Sequence, residues 1–321
     1  MRRVLMTLAA TLFFAVPAPA QDWPNRPVKI VVPFAPGGSA DRMGRAVAEG
    51  LSKTFKQQFY IENRAGAGGA TASLQIARSD PDGYSLVVAG SASHVTTVAA
   101  VTNVGYDPIA DFSHIAMIGG ESYVLVANPA LGVKFLADLT ERAKKSSTPI
   151  NVGSPGLGTL GQYIVEQLRR EVSMTGLNHI PYRGGAPLAT DLLGNHVSVA
   201  CLPIAVIQQQ IAAGNAVPLA VSATERVPLL KDVATFRELG YKDIGGSIWF
   251  WLAGPKSLPA PIVDDLSREV RKIVASPEVR QQFDREALLT MDAGPEGVTA
   301  YMTERLKYWN NFMQETGLKQ K

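Results

Sequence analysis

Val28-Lys29-Ile30-Val31-Val32-Pro33-Phe34-Ala35-Pro36-Gly37-Gly38-Ser39-Ala40-Asp41 opens the first regular segment, and the period of its apolar residues changes partway along. The first half is a short run rich in β-branched residues. It closes on prolines and a glycine pair, which reads as a buried strand ending in a tight turn. Beyond it, Met43, Ala46, Val47 and Leu51 recur at helical spacing, so residues 41–55 read as an amphipathic helix. Strand, glycine turn and helix in succession open a parallel α/β unit.

The same order repeats outward. Phe59-Tyr60-Ile61-Glu62 is a second strand, Ala65-Gly66-Ala67-Gly68-Gly69 leads into a helix through Ala77, and residues 84–89 form a third strand ending in Gly90-Ser91-Ala92-Ser93. It restarts at Ile150-Asn151-Val152-Gly153, with a glycine loop over 154–158 and a helix over 159–171. A strand over 178–182, Arg183-Gly184-Gly185, a helix through Leu193, a strand over 197–202 and a helix over 204–213 complete a second unit. Residues 115–128 and 217–222 are extended and apolar and lie where the chain passes between the units, so both are expected as crossings. The remainder, from Trp249, is too short for a third unit. It is expected to rejoin the first with a strand over 248–253 and helices over 262–275 and 296–316. The fold class is α/β, with one domain formed by residues 21–122 plus 223–321 and the other by 123–222. Trp249 and Trp251 alternate on their strand, so only one of them faces inward.

The first twenty of the 321 residues read as a removable export signal. Arg2 and Arg3 give a positive start, residues 4–16 a short apolar run, and Ala18-Pro19-Ala20 a cleavage pattern after Ala20. That run is too short to span a bilayer as a helix, and no longer one follows. A soluble periplasmic protein is therefore expected. Removing the signal takes two of 31 basic residues, leaving 29 against 28 acidic ones. A net charge of +1 without a basic cluster argues against nucleic acid as a partner. Cys201 is the only cysteine; within its apolar run it reads as a small buried hydrophobe, and no intrachain disulfide is available to this chain.

In open α/β sheets, ligands bind beyond the carboxyl ends of the strands. Five loops qualify here: residues 36–41, 65–69, 90–94, 153–159 and 182–185. Their glycines leave backbone N–H groups unshielded, and four of them lead into a helix N-terminus, which favours an anion. The alternative for any one loop is a tight turn and nothing more. Asp41 is expected to cap backbone N–H groups. Gly156-Leu157-Gly158-Thr159-Leu160-Gly161 matches G-x-G-x-x-G. The next strand, however, ends in Tyr182-Arg183-Gly184 and lacks the acidic residue that would hold a ribose, so the loop is kept as a carboxylate seat and no cofactor is expected. Neither metal-ligand spacing among the four histidines nor a G-x-S-x-G elbow is present. His94 reads either as a ligand-bonding residue in its loop or as a structural one. Arg183 reads either as a carboxylate clamp or as a solvated side chain, and Phe34 and Tyr182 as apolar walls or as core.

Taken in order, Trp23-Pro24 to Pro27, Val31-Val32-Pro33-Phe34-Ala35-Pro36-Gly37-Gly38, Glu62-Asn63-Arg64-Ala65-Gly66-Ala67-Gly68-Gly69 and Pro81-Asp82-Gly83-Tyr84 form a specific series. Tyr106-Asp107-Pro108 with Asp111-Phe112, Pro181-Tyr182-Arg183-Gly184 and Asp191-Leu192-Leu193-Gly194 continue it. The chain resembles the Bug-type solute receptors of tripartite tricarboxylate transporters over its whole mature length. That resemblance implies a periplasmic binding protein-like (Venus flytrap) fold, two α/β domains joined by crossover strands, and a small mono-, di- or aromatic carboxylate held largely by backbone amides and hydroxyls. It also implies transient docking to membrane transporter subunits. The expected binding set is Phe34, Gly37, Gly38, Ser39 and Asp41; Ala67, Gly68 and Gly69; Ser91, Ser93 and His94; and Ser154, Gly158, Thr159, Tyr182, Arg183 and Gly184. One carboxylate is expected on the amides of Gly37 to Ser39 and Gly68-Gly69, with Ser154, Gly158, Thr159 and Arg183 reading the far end. Two departures bear on the ligand: Ser39-Ala40 stands where Ala-Thr is commoner, and His94 brings an imidazole into a usually uncharged loop. A monomer is expected. The alternatives are a ligand-sensing subunit of a two-component signalling system and a periplasmic enzyme using His94 or Asp41, against which the sequence shows no nucleophile–base pair.

Overall fold

The computed structural model describes residues 23–156, 158–172, 176–242 and 244–316. The expected export signal and Leu157 of the G-x-G-x-x-G stretch lie outside the described residues. The chain begins with β1 (Val28–Val32), α1 (Ser39–Phe55), β2 (Phe59–Asn63), α2 (Ala70–Ala77) and β3 (Ser85–Gly90). A π-helical turn (Ala92–Thr96) and α3 (Thr97–Ala100) lead to the long strand β4 (Phe112–Ala127). Next come α4 (Leu136–Lys145), β5 (Ile150–Ser154), α5 (Leu160–Val172), β6 (Leu177–Pro181), α6 (Gly185–Leu193), β7 (Val199–Pro203), α7 (Ile204–Ala212) and β8 (Val217–Val221). The chain returns through β9 (Ser247–Pro255), α8 (Ala260–Ala275), α9 (Pro277–Arg285), β10 (Leu288–Leu289) and α10 (Pro295–Thr316).

The strands pair in the order β2-β1-β3-β9-β4-β7-β5-β6, with β8 and β10 also on β4. Both parallel sets follow the helix-crossover pattern legible in the sequence: β2-β1-β3 on one side, β7-β5-β6 on the other. β4 is common to both. Its first part, Phe112 to Ser122, pairs with β9, and its last part, Tyr123 to Ala127, pairs with β7. The sheet thus has two wings that share one 16-residue strand.

Residues 115–128 are accordingly the extended crossing that the sequence implied. The other expected crossing, residues 217–222, is different: β8 pairs with Val124–Ala127 of β4 and lies within the second wing. An apolar β-run fits a buried strand as well as a crossing, and pattern alone does not separate the two.

α1 starts at Ser39, two residues before its expected start, because Asp41 reaches back to the preceding turn and fastens the first coil of the helix. Its apolar face (Met43, Val47, Leu51) is wholly buried, and Gly44 lets the helix lie close on Val32 and Val88. Trp251 is fully buried and Trp249 only partly, as alternation on one strand requires. Cys201 is fully buried, and burial pushes its thiol well above its usual range, so it behaves as an inert core residue. α10 is expected to rejoin the first wing, and its first turns do: Val298 and Met302 are buried among Met117, Trp251 and Ala253. Its far end leaves that wing. Trp309 packs against Tyr163 of α5 with ring centroids 4.1 Å apart, so α10 straps the two wings together. Among the described residues, no helix is long and apolar enough to cross a membrane.

Candidate functional site

Parallel strands present their carboxyl ends on one edge. β1, β2 and β3 therefore deliver three of the five candidate loops together, and β5 and β6 deliver the other two. Local contacts set the first three side by side. Asn63 Nδ2 donates to the Phe34 carbonyl at 3.1 Å and the Arg64 N–H to the Val32 carbonyl at 2.8 Å. A Cβ placed on Gly69 would lie 2.8 Å from Ser93 and 3.1 Å from Pro33. In the second wing, the Tyr182 N–H donates to the Ser154 carbonyl at 2.9 Å, which holds residues 182–184 against the 154–159 loop.

The two sets meet. The Thr96 hydroxyl donates to the Gly158 carbonyl across the wings. Gly68 and Gly158, one from each wing, approach the same Thr97 hydroxyl: a Cβ on Gly68 would overlap it and one on Gly158 would come within 3.1 Å. Both glycines have positive φ, 63° and 75°, so a side chain there is strained by conformation and would also crowd Thr97. The wings are closed on one another at this point.

The amides divide into those already used and those left at a helix end. The Gly37 N–H donates to Asp41 Oδ2 at 2.9 Å, the Gly69 N–H to the Gly66 carbonyl at 2.8 Å, and the Gly158 N–H to Gln162 Oε1 at 2.7 Å. In a dinucleotide loop the Gly158 amide would face phosphate; here Gln162 occupies it. The first helical bond of α1 runs from the Arg42 N–H to the Gly38 carbonyl, so the N–H groups of Ser39, Ala40 and Asp41 precede it and are the orphan donors of the helix. Space around this turn is open: a Cβ on Gly37 would meet nothing within 4 Å, and one on Gly38 only the Ala35 carbonyl at 3.7 Å. Ala67 holds a left-handed conformation (φ 46°) ahead of Gly68 and Gly69, concentrating backbone strain in this loop.

Asp41 is a cap. Besides Gly37, its carboxylate accepts from Arg45 Nε and Asn63 Nδ2, each at 2.9 Å. Burial works to raise its pKa, but these hydrogen bonds together hold it below the usual range. Ser91 and Ser93 are buried and engaged. Ser91 Oγ accepts the Trp249 N–H at 2.9 Å and lies 2.9 Å from Tyr301 Oη, while Ser93 Oγ lies 2.9 Å from His94 Nδ1. The ring contacts of His94 are with Tyr106, Phe112, His114 and Trp251, all in the first wing. Burial and the neighbouring His114 push His94 well below its usual pKa, so it is neutral. Phe34 packs edge-on to Phe250 at 6.3 Å.

In the second wing, Ser154 Oγ lies 2.7 Å from His179 Nε2, whose Nδ1 lies 3.6 Å from Glu166. Burial keeps His179 neutral at neutral pH, with the nearby Glu166 pulling the other way. The serine oxygen also meets its own loop, 3.3 Å from the Gly156 carbonyl and 3.4 Å from the Gly156 N–H. The fold thus brings Ser154 and His179, 25 residues apart in the chain, into hydrogen-bond contact. Thr159 Oγ1 donates to the Gly156 carbonyl at 2.7 Å, Tyr182 Oη to Asp191 at 2.8 Å, and Arg183 is exposed beside Gly184.

Glu121, which sequence reasoning passed over, lies at the crossing in β4, beneath the first turn of α1. It is 4% exposed. Burial raises its carboxyl to about 7 against the pull of the Ser39 hydroxyl and the Arg42 guanidinium, which favour the charged form. Thr96, Thr97, Gln162 and His179 were missed as well. Thr96 and His179 gain their roles from partners on other elements, Gln162 from the Gly158 amide four residues back, and Thr97 from the two glycines that approach it. Among the described residues, no group of three or more His, Cys, Asp or Glu side chains is placed to hold a metal.

A family model described as tripartite tricarboxylate transporter family receptor matches residues 43–318. Among solved structures, the periplasmic binding protein BugD is 30% identical with a TM-score of 0.86, over 93% of this chain and 100% of that one. An R. palustris protein solved with adipate is 27% identical, with a TM-score of 0.87, over 92% and 99%. MatC from Rhodopseudomonas palustris, solved with bound malate, is 28% identical, with a TM-score of 0.82, over 90% and 99%. The periplasmic binding protein-like α/β fold follows from the sheet and from these likenesses alike.

Proposed function

Because the chain belongs to the tripartite tricarboxylate transporter receptor family, we propose that it is an exported receptor that captures a small carboxylate between its two wings. The convergence of the five strand-end loops carries this reading, with the turn after β3 touching the 153–159 loop across the wings at Thr96 and Gly158. The ligand's first carboxylate sits on the orphan amides of α1, at Ser39 and its neighbours, where the helix dipole favours an anion. The open space at Gly37 and Gly38 admits it. Its far end meets the 154–159 loop and Arg183. The adipate and malate held by relatives of 27% and 28% identity support a solute of this class.

Residues 21–122 with 223–321 form one domain of this trap and 123–222 the other, turning about β4 and the return after Ser222. There the Tyr123 N–H donates to Ser222 Oγ at 2.8 Å, and Ser222 Oγ to the Gly246 carbonyl at 2.7 Å. The closed form is populated in proportion to its extra affinity for the solute. Residues 1–20 are removed on export to the periplasm, the mature receptor is a monomer, and it docks transiently on membrane transporter subunits.

A second reading, a periplasmic hydrolase, draws on the 2.7 Å contact of Ser154 with His179. Against it, Ser154 is wholly buried. Turnover of ester analogues by the purified protein, lost in Ser154→Ala, would favour this reading; absence of turnover leaves the receptor. The receptor reading is tested by calorimetric titration with mono-, di- and aromatic carboxylates. Micromolar affinity corresponds to about 8 kcal/mol. Gly38→Val adds a branched side chain at an extended position (φ −75°) with room for a Cβ, so the fold should persist while carboxylate binding is lost. Unchanged affinity in that variant would remove the α1 seat.

A further inference from the structure

Thr97, at the start of α3, is 6% exposed, and its hydroxyl has no hydrogen-bond partner. A threonine in a helix ordinarily disposes of its hydroxyl on the carbonyl four residues back. For Thr97 that is the Ser93 carbonyl, which already accepts the Tyr106 hydroxyl. Its neighbour Thr96 is satisfied, within its own helix and by the Gly158 carbonyl. The Thr97 hydroxyl therefore stands alone at the place where the wings meet, between two glycines whose missing side chains let both backbones approach it. A buried polar group without a partner is costly, and one that a fold retains calls for an explanation outside the fold's own hydrogen bonds.

We propose that the Thr97 hydroxyl is a ligand contact that sets specificity, donating to a carboxylate oxygen of the solute where the wings meet beside Gly68 and Gly158. The inference rests on the carboxylate-receptor reading and names a residue that reading did not include. It gives a double signature. In the free protein the hydroxyl is a liability; in the complex it is a charge-assisted donor. Thr97→Val keeps the shape and removes the hydroxyl. It should therefore leave the melting temperature of the free protein unchanged or raise it while weakening carboxylate binding. A residue that merely supports the fold would lower both.

The experiment is calorimetric titration and thermal unfolding of the mature wild-type protein, Thr97→Val and Thr97→Ser, using a panel of C2–C8 mono- and dicarboxylates that includes adipate and malate. The expected result is that the wild type binds at least one acid and Thr97→Val binds it about tenfold to a hundredfold more weakly without loss of thermal stability. Thr97→Ser, which keeps the donor, should stay within about threefold of wild type. Equal affinity of Thr97→Val and wild type would overturn this inference and leave the receptor reading standing. Weaker binding accompanied by a lower melting temperature would also overturn it, because the role would then be structural. Failure of the wild type to bind any acid in the panel would overturn the receptor reading and this inference with it.

Discussion

At Asp41 one buried carboxylate gathers the Gly37 amide, Arg45 and Asn63, and so ties the 33–38 turn, the first coil of α1 and the end of β2 into one piece. Asp41→Ala would leave three donors without their acceptor. It should cost about 2–3 kcal/mol in urea unfolding, and it should weaken carboxylate binding by loosening the turn. A loss below about 0.5 kcal/mol would mean that water replaces the cap freely. This cap was legible in the sequence, since an aspartate at a helix start has a local reason to be there. His94 was not legible in the same way. Its environment is made by Phe112, His114 and Trp251, which reach it from β4 and β9, and periodicity does not say which strands become neighbours. Thr97 was less legible still, because its significance lies in the bond it fails to make.

β4 carries both the connection between the wings and its one buried acid. Glu121 is held protonated up to about 7, against an ordinary value near 4.5. Between those two pH values the folded chain keeps a proton that the unfolded chain has released. The contribution of Glu121 is therefore fully present below about 4.5 and declines as pH rises through 7, by about 3 kcal/mol in all. The buried, neutral His94 and His114 act in the opposite sense at low pH, so the comparison must be between variants. Glu121→Gln should match wild type near pH 4.5 and be the more stable by about 3 kcal/mol above pH 7. Parallel pH profiles for the two proteins would contradict the assignment. The α1–β2 and α5–β6 units were legible because strand, glycine turn and helix each leave a local pattern. The two roles of α10 were not, because an amphipathic face shows that something covers it without showing what. Trp309, 5% exposed against Tyr163, carries the second role, and Trp309→Ala should cost about 3–5 kcal/mol in denaturant unfolding. A cost under about 1 kcal/mol would show that the strap is not held at that end.

Over the whole molecule, two wings sharing one strand can trap a solute only if what lies between them strengthens their contact. Thr96 with Gly158 supplies a small contact at the strand ends, and the solute adds to it there. The two-unit pattern and the ordered motifs carried the fold class and the receptor family in the sequence. They did not carry the meeting of the wings, which is a property of folded loops, or the identity of the acid, since backbone amides accept many carboxylates. The most direct test is a thermal-shift titration of the mature protein across mono-, di- and aromatic carboxylates with matched uncharged solutes. At about 100-fold excess over Kd, one carboxylate should stabilise the protein by about 2.7 kcal/mol in a dose-dependent way while its uncharged counterpart does nothing. Stabilisation by an uncharged solute and by no carboxylate would contradict the account.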